Sequence, residues 1–175
     1  MMVDIRETLE GAAFGTTDGI ICALGTVIGA AAATGSSSLA IIAGVLAGVS
    51  NSFANGIGIY VSQAAERGVQ KAKVAEGEKT HVHTVQENII TAVASFSASI
   101  LVSLLMVAPF TALPISTAMF ASFLIGIVFL FVLGAYTAKI SKESVLSHGI
   151  QYSLLGVSGA IIGYIVGEQL RFLMV

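Results

Sequence analysis

Apolar residues run in five long blocks along the chain, separated by short polar breaks, at about 11–33, 39–63, 88–108, 115–138 and 149–170. Each block is long enough to cross ~30 Å of hydrocarbon at about 1.5 Å per residue. The pattern predicts five membrane-spanning helices. Pro109 and Pro114 fall between the third and fourth blocks, where they punctuate the chain rather than kink a helix. One polar insertion, 64–87, is large enough to notice, and it reads as a helical extension of the second span, a break at Gly77 and a polar approach to the third. The fold class expected is an all-α integral membrane protein in which residues 1–175 form a single five-helix domain.

Composition agrees. Of the 175 residues, 55% are apolar and only 10% charged, and such a chain cannot cover a water-facing surface. A net charge of −2 offers nothing to a polyanion, so no nucleic-acid partner is expected. The lone Cys22 excludes an internal disulfide framework and a multi-cysteine zinc site. A cleavable signal peptide ending at Ala31–Ala33 is the alternative reading of the first block, but its flank (Asp4, Arg6, Glu7, Glu10) is acidic and its apolar run is longer than a signal core.

The basic residues give the orientation. Arg6, then Arg67, Lys71, Lys73 and Lys79, then Lys139 and Lys142 fall on one side, and only Arg171 falls on the other. The positive-inside tendency puts the N-terminus in the cytoplasm and the C-terminus outside.

Glycine recurs at helical spacing inside the apolar blocks, where small residues let helices approach closely in lipid. Gly159, Gly163 and Gly167, with Gly156 on the same face, form an expected packing seam on the fifth span. On the first span Gly11, Gly15, Asp18, Cys22, Gly25 and Gly29 share one face, and on the second Gly44, Gly48, Asn51, Asn55, Gly58 and Ser62 occur at the same offsets. The correspondence reads either as an inverted repeat or as the general habit of placing small residues at helical spacing. Leu46, Val49, Phe53, Ile57 and Tyr60 point away from the second stripe.

Asp18 is the unusual residue. A carboxylate at bilayer depth is costly and faces protein or a water-filled path. It lies about seven residues, or roughly 10 Å, inside the first span; Asn55 lies at matching depth on the second, with Asn51 one turn further in and Thr16 and Thr17 near the same level. Facing each other directly or across a dimer interface, Asp18 and Asn55 could share an ion. The structural alternative is a protonated carboxyl bonded to a neighbouring helix, with the asparagines as interhelical glue and Cys22 as a small apolar filler. In the insertion, Glu66, Glu76, Glu78, His81, His83 and Glu87 combine carboxylates and imidazoles, a donor set that suits divalent transition metals; the alternative there is a solvated charged loop. No nucleophile triad or phosphate-binding glycine loop is present, so an enzyme is not expected.

The stretch FGTTDGIICALGTVIGAA (14–31) resembles the first-helix signature of the vacuolar iron transporter family, LAGVSNSFANGIGIYVSQAAE (46–66) its second helix, and LLGVSGAIIGYIVG (154–167) its glycine-rich fifth helix. The resemblance extends over the whole five-span layout. It implies a homodimer that moves Fe²⁺ or Mn²⁺ out of the cytosol in exchange for protons, along a path between the first two helices at the dimer interface. It assigns the first-helix aspartate to Asp18. The chain departs from the family elsewhere: Asn55 stands at the methionine position, Ile59 at a glutamate position of the second helix and Ala47 at another, and the acidic cytoplasmic helices are shortened. An amide oxygen in place of a thioether shifts the donor set from soft toward hard, compatible with Mn²⁺, Fe²⁺ or Mg²⁺.

The expectation is a proton-coupled divalent-metal transporter without a prosthetic group, in the cell membrane, with Asp18, Asn51 and Asn55 in the bilayer and the insertion capturing ions. The competing expectations are a non-transporting assembly or scaffold protein and a small exporter of organic cations. The absence of tryptophan weakens the last, since no aromatic cage is at hand.

Overall fold

The computed structural model describes residues 5–173, with side chains from Thr8 onward. Asp4, Arg6 and Glu7, used above for flank and orientation, lie outside the described side chains. The chain forms α1 (Ile5–Thr34), α2 (Ser37–Ala75), α3 (Val85–Val107), the single turn α4 (Pro109–Ala112), α5 (Ile115–Ser141) and α6 (Val145–Leu173), with no strand among the described residues. Five of these stretches are long and apolar enough to cross a membrane, α4 continuing the span begun by α3.

Local chemistry sets the ends. Between α1 and α2 the backbone reverses at Gly35, whose φ of +63° suits a residue without Cβ, and Ser36 caps α2 by accepting from the Leu39 amide. α2 has 39 residues and continues well past the predicted membrane boundary at 63, to Ala75; Gly77, with φ +89°, makes the break. Thr84 and Glu87 form a reciprocal capping box that starts α3. Pro109 opens α4 and Pro114 caps α5, at positions where a missing N–H costs nothing. α5 ends on Lys142 in the left-handed region, and across the following turn His148 Nε2 meets Glu143 Oε2 at 2.6 Å.

α1 is the central helix. It packs against α2, α3, α5 and α6, most extensively against α3 and α6, and its Ile20, Leu24 and Val27 are fully buried with Met106 and Leu130. The outer surface is the reverse of a soluble protein's: Leu46, Leu101, Phe120 and Ile162 are all more than 60% exposed. Apolar contact gives no advantage over lipid there, so close backbone packing and interhelical hydrogen bonds hold the bundle instead.

The small-residue stripes divide between neighbours. On α1, Gly11, Gly15 and Gly19 lie against Thr91, Ser95 and Ser99 of α3, whereas Gly25 and Gly29 lie against Gly159 and Gly163 of α6. A Cβ on Gly29 would stand 2.8 Å from the Gly163 carbonyl oxygen, so the two backbones touch. On α6, Gly159, Gly163 and Gly167 make this seam, but Gly156 faces Leu130 and Ile127 of α5. That corrects the expected common face: three residues turn a helix by about 300°, enough to hand Gly156 to a different partner. On α2, Gly44 and Gly48 pack on Val107 and Ser103, while Gly58 meets nothing within 4 Å and Ser62 is exposed.

Candidate functional site

Between Gly15 and Gly19 of the close α1–α3 contact, α1 presents Asp18 to α2. Asn51 Nδ2 donates to Asp18 Oδ2 at 2.6 Å, and Asn55 Nδ2 donates to the same oxygen at 2.9 Å. The two asparagines are four residues apart on one helix, so their amides stack along a single face and converge on one acceptor. Asn55 is 6% exposed and also reaches Ser99 Oγ on α3 at 3.0 Å, which ties three helices together at this level. Oδ1 of Asp18 receives no hydrogen bond from the described residues. Thr17, at the same depth, spends its hydroxyl on the Ala13 carbonyl of its own helix at 2.9 Å. Cys22 lies one turn beyond Asp18, half-buried and unbridged.

The three intramembrane residues singled out in the sequence therefore meet within one subunit. Ser99 is the member that sequence reasoning missed. Its signal was the run Asn88, Thr91, Ser95, Ser99, Ser103, polar residues every three or four positions on α3 and all buried.

The insertion is arranged differently. Gln70, buried on the extension of α2, accepts from the His83 backbone N–H at 2.9 Å through Oε1, while its Nε2 lies 3.3 Å from Glu66 Oε1 and beside the His83 ring. The His81 and His83 rings are 5.6 Å apart, and His81 Nε2 is 3.9 Å from Glu87 Oε2, the oxygen that also accepts from the Thr84 amide. Glu66, His83, His81 and Glu87 thus form a string rather than a cluster. Glu76 and Glu78 stand exposed at the turn around Gly77. Among the described residues, no three His, Cys, Asp or Glu side chains converge on a point where a metal ion could sit. Gln70, which organises the string, carried no sequence signal because it is one more polar residue in a polar segment.

Five apolar helices, with a half-buried carboxylate on the first held by amides of the second, define a multi-pass integral membrane protein with a polar site at bilayer depth. Residues 9–91, which span α1, α2 and the start of α3, match the VIT family. The chain is also 31% identical over 163 residues to an uncharacterized protein of Methanocaldococcus jannaschii, a match that covers 87% of this chain and 84% of that one. The chain belongs to the VIT family, and membership points to membrane metal transport in general.

Proposed function

We propose that the protein carries a divalent metal ion, Fe²⁺ or Mn²⁺, out of the cytoplasm in exchange for protons, with Asp18 as the charged ligand. The observation that supports this most is the convergence of Asn51 and Asn55 on one oxygen of an intramembrane carboxylate. Both amides donate to the one carboxylate oxygen. A half-turn of each amide about its terminal torsion offers Oδ1 in place of Nδ2, converting two donors into two neutral oxygen ligands. Carboxylate plus amide oxygens form a hard donor set, in keeping with Mn²⁺ or Fe²⁺ coordinated partly by water. When the ion leaves, protonation spares the carboxylate its charge in a medium that penalises charge, which couples export to proton entry.

In this reading the N-terminus and the insertion are cytoplasmic. Glu66, Glu76, Glu78, His81, His83 and Glu87 raise the local ion concentration at the mouth, as loose surface donors rather than as one tight site. The protein works as a homodimer, pairing through the open face of α2 around Gly58 and bringing two Asp18 carboxylates to one path.

The test is Fe²⁺ and Mn²⁺ flux, with lumenal pH recorded, in proteoliposomes of the wild type and of Asp18→Asn. Loss of metal flux together with the proton signal is the expected outcome. Undiminished metal flux in the variant refutes the role of Asp18, and flux without a proton signal in the wild type refutes the coupling.

A further inference from the structure

At the end of the bundle away from the polar insertion, a cavity of about 540 Å³ opens between the last turn of α1, the start of α5 and the end of α6. Tyr164, Glu168 and Arg171 form its polar side. A second cavity of about 520 Å³ adjoins it, walled by Ile28, Phe120, Phe123 and Ile161. Ser116, Met119 and Tyr164 line both. The two form one trough, with charges at its mouth and hydrocarbon along its floor.

We infer that this trough holds a phospholipid whose headgroup carries both a phosphate and a primary ammonium. Phe120 is 66% and Ile161 51% exposed, so the floor opens onto the lipid-facing surface, and an acyl chain fills such a volume where water would find few partners. The mouth carries one charge of each sign. Arg171 is the lone basic residue on this side of the sequence, and its Nη1 stands 3.8 Å from Glu168 Oε1. That separation is too long for a hydrogen bond, and Arg171 remains 63% exposed, so its planar fork has N–H groups to give a phosphate. Glu168, 32% exposed, accepts from an ammonium on the same headgroup. Tyr164 lines both mouth and floor, and a tyrosine there combines an apolar ring with a hydroxyl suited to the interface. A choline headgroup has no N–H to donate to Glu168. A glycerol headgroup offers Glu168 hydroxyls but no positive charge, and Arg171 alone has then to serve both the phosphate and the carboxylate. Charge complementarity therefore selects the amine-bearing lipid.

Native mass spectrometry of the full-length protein, titrated with phosphatidylethanolamine, phosphatidylcholine and phosphatidylglycerol of identical acyl chains, tests the assignment. The wild type should retain phosphatidylethanolamine at least about fivefold better than either competitor, the scale of one additional charge-assisted hydrogen bond. Glu168→Gln, a change on a solvent-accessible side chain, should erase that preference while leaving retention of phosphatidylcholine unchanged. Arg171→Gln should lower retention of all three, and Met119→Trp should block the trough. Equal retention of the three lipids by the wild type overturns the inference, as does a preference that survives Glu168→Gln. A Met119→Trp protein that loses oligomer mass rather than lipid shows that a second copy occupies the trough, and overturns it too.

Discussion

Replacing Asn55 by leucine tests the intramembrane site at its most connected residue. Leucine has nearly the same size and no polar atom, so the change removes the 2.9 Å bond to Asp18 and the 3.0 Å bond to Ser99 without opening a cavity. The 2.6 Å bond from Asn51 remains. A hydrogen bond to an ionised group contributes about 1.5–3 kcal/mol in soluble proteins, but interhelical bonds in bilayers average ~0.6 and reach about 1.7 kcal/mol. The bilayer figures apply here, and with the bond to Ser99 counted the loss is about 1–2 kcal/mol. At 1.4 kcal/mol per factor of ten, the metal concentration giving half-maximal flux should rise about 5- to 30-fold if the same amide serves the ion. Mn²⁺ uptake into proteoliposomes, read by an entrapped metal-sensitive dye, measures it, and circular dichroism in detergent confirms that the variant folds. The companion Asn55→Asp sharpens the reasoning: two carboxyls within hydrogen-bond reach cannot both ionise, so they share a proton and flux becomes more steeply dependent on pH. A folded Asn55→Leu protein with a half-saturating concentration within twofold of wild type refutes the assignment of Asn55 to the site.

Gly29→Ala puts a methyl 2.8 Å from the Gly163 carbonyl oxygen, and the α1–α6 seam should lose about 1–3 kcal/mol, read as a lower thermal midpoint in detergent; an unchanged midpoint means the seam is slack. Gly68→Ala, on the exposed extension of α2 with nothing within 4 Å of the added methyl, should instead raise helix stability by up to about 1 kcal/mol, which hydrogen exchange along 64–75 would report. Gln70→Ala frees the His83 amide and should make 78–84 exchange and proteolyse faster, with metal flux through the bundle intact. Thr84→Ala breaks the capping box and should cost about 0.5–2 kcal/mol, seen as faster exchange confined to the first turn of α3.

The five spans were legible because the bilayer imposes a minimum apolar length, and the extension of α2 because its polar run holds no proline and a single glycine, Gly68, before Gly77. Depth made a pairing of Asp18 with Asn55 legible but left open whether it forms within one chain or across a dimer interface; the structure makes it within the chain and adds Asn51, one turn further in, to the same oxygen. Periodicity fixes which face of a helix a residue occupies but not which helix covers that face. For that reason one glycine stripe on α1 serves two partners, and Gly156 turned out to face α5. Gln70 stayed hidden because a glutamine among charges looks ordinary until a partner places a polar atom opposite, whereas Ser99 carried a signal only as one of five polar positions recurring along α3, with nothing to single it out from the others.

The length of α2 has a mechanical consequence. From Asn55 to Ala75 the helix continues unbroken and without proline for about 30 Å, making it a stiff rod with one end at the intramembrane carboxylate and the other at the polar turn. A rod of that length works as a lever arm: a tilt of about 5° pivoting near Asn55 sweeps the far end through roughly 2–3 Å, about the reach of one hydrogen bond. Binding or crosslinking at the tip near Glu76 and Glu78 is thereby geared to small angular changes of the asparagines against Asp18.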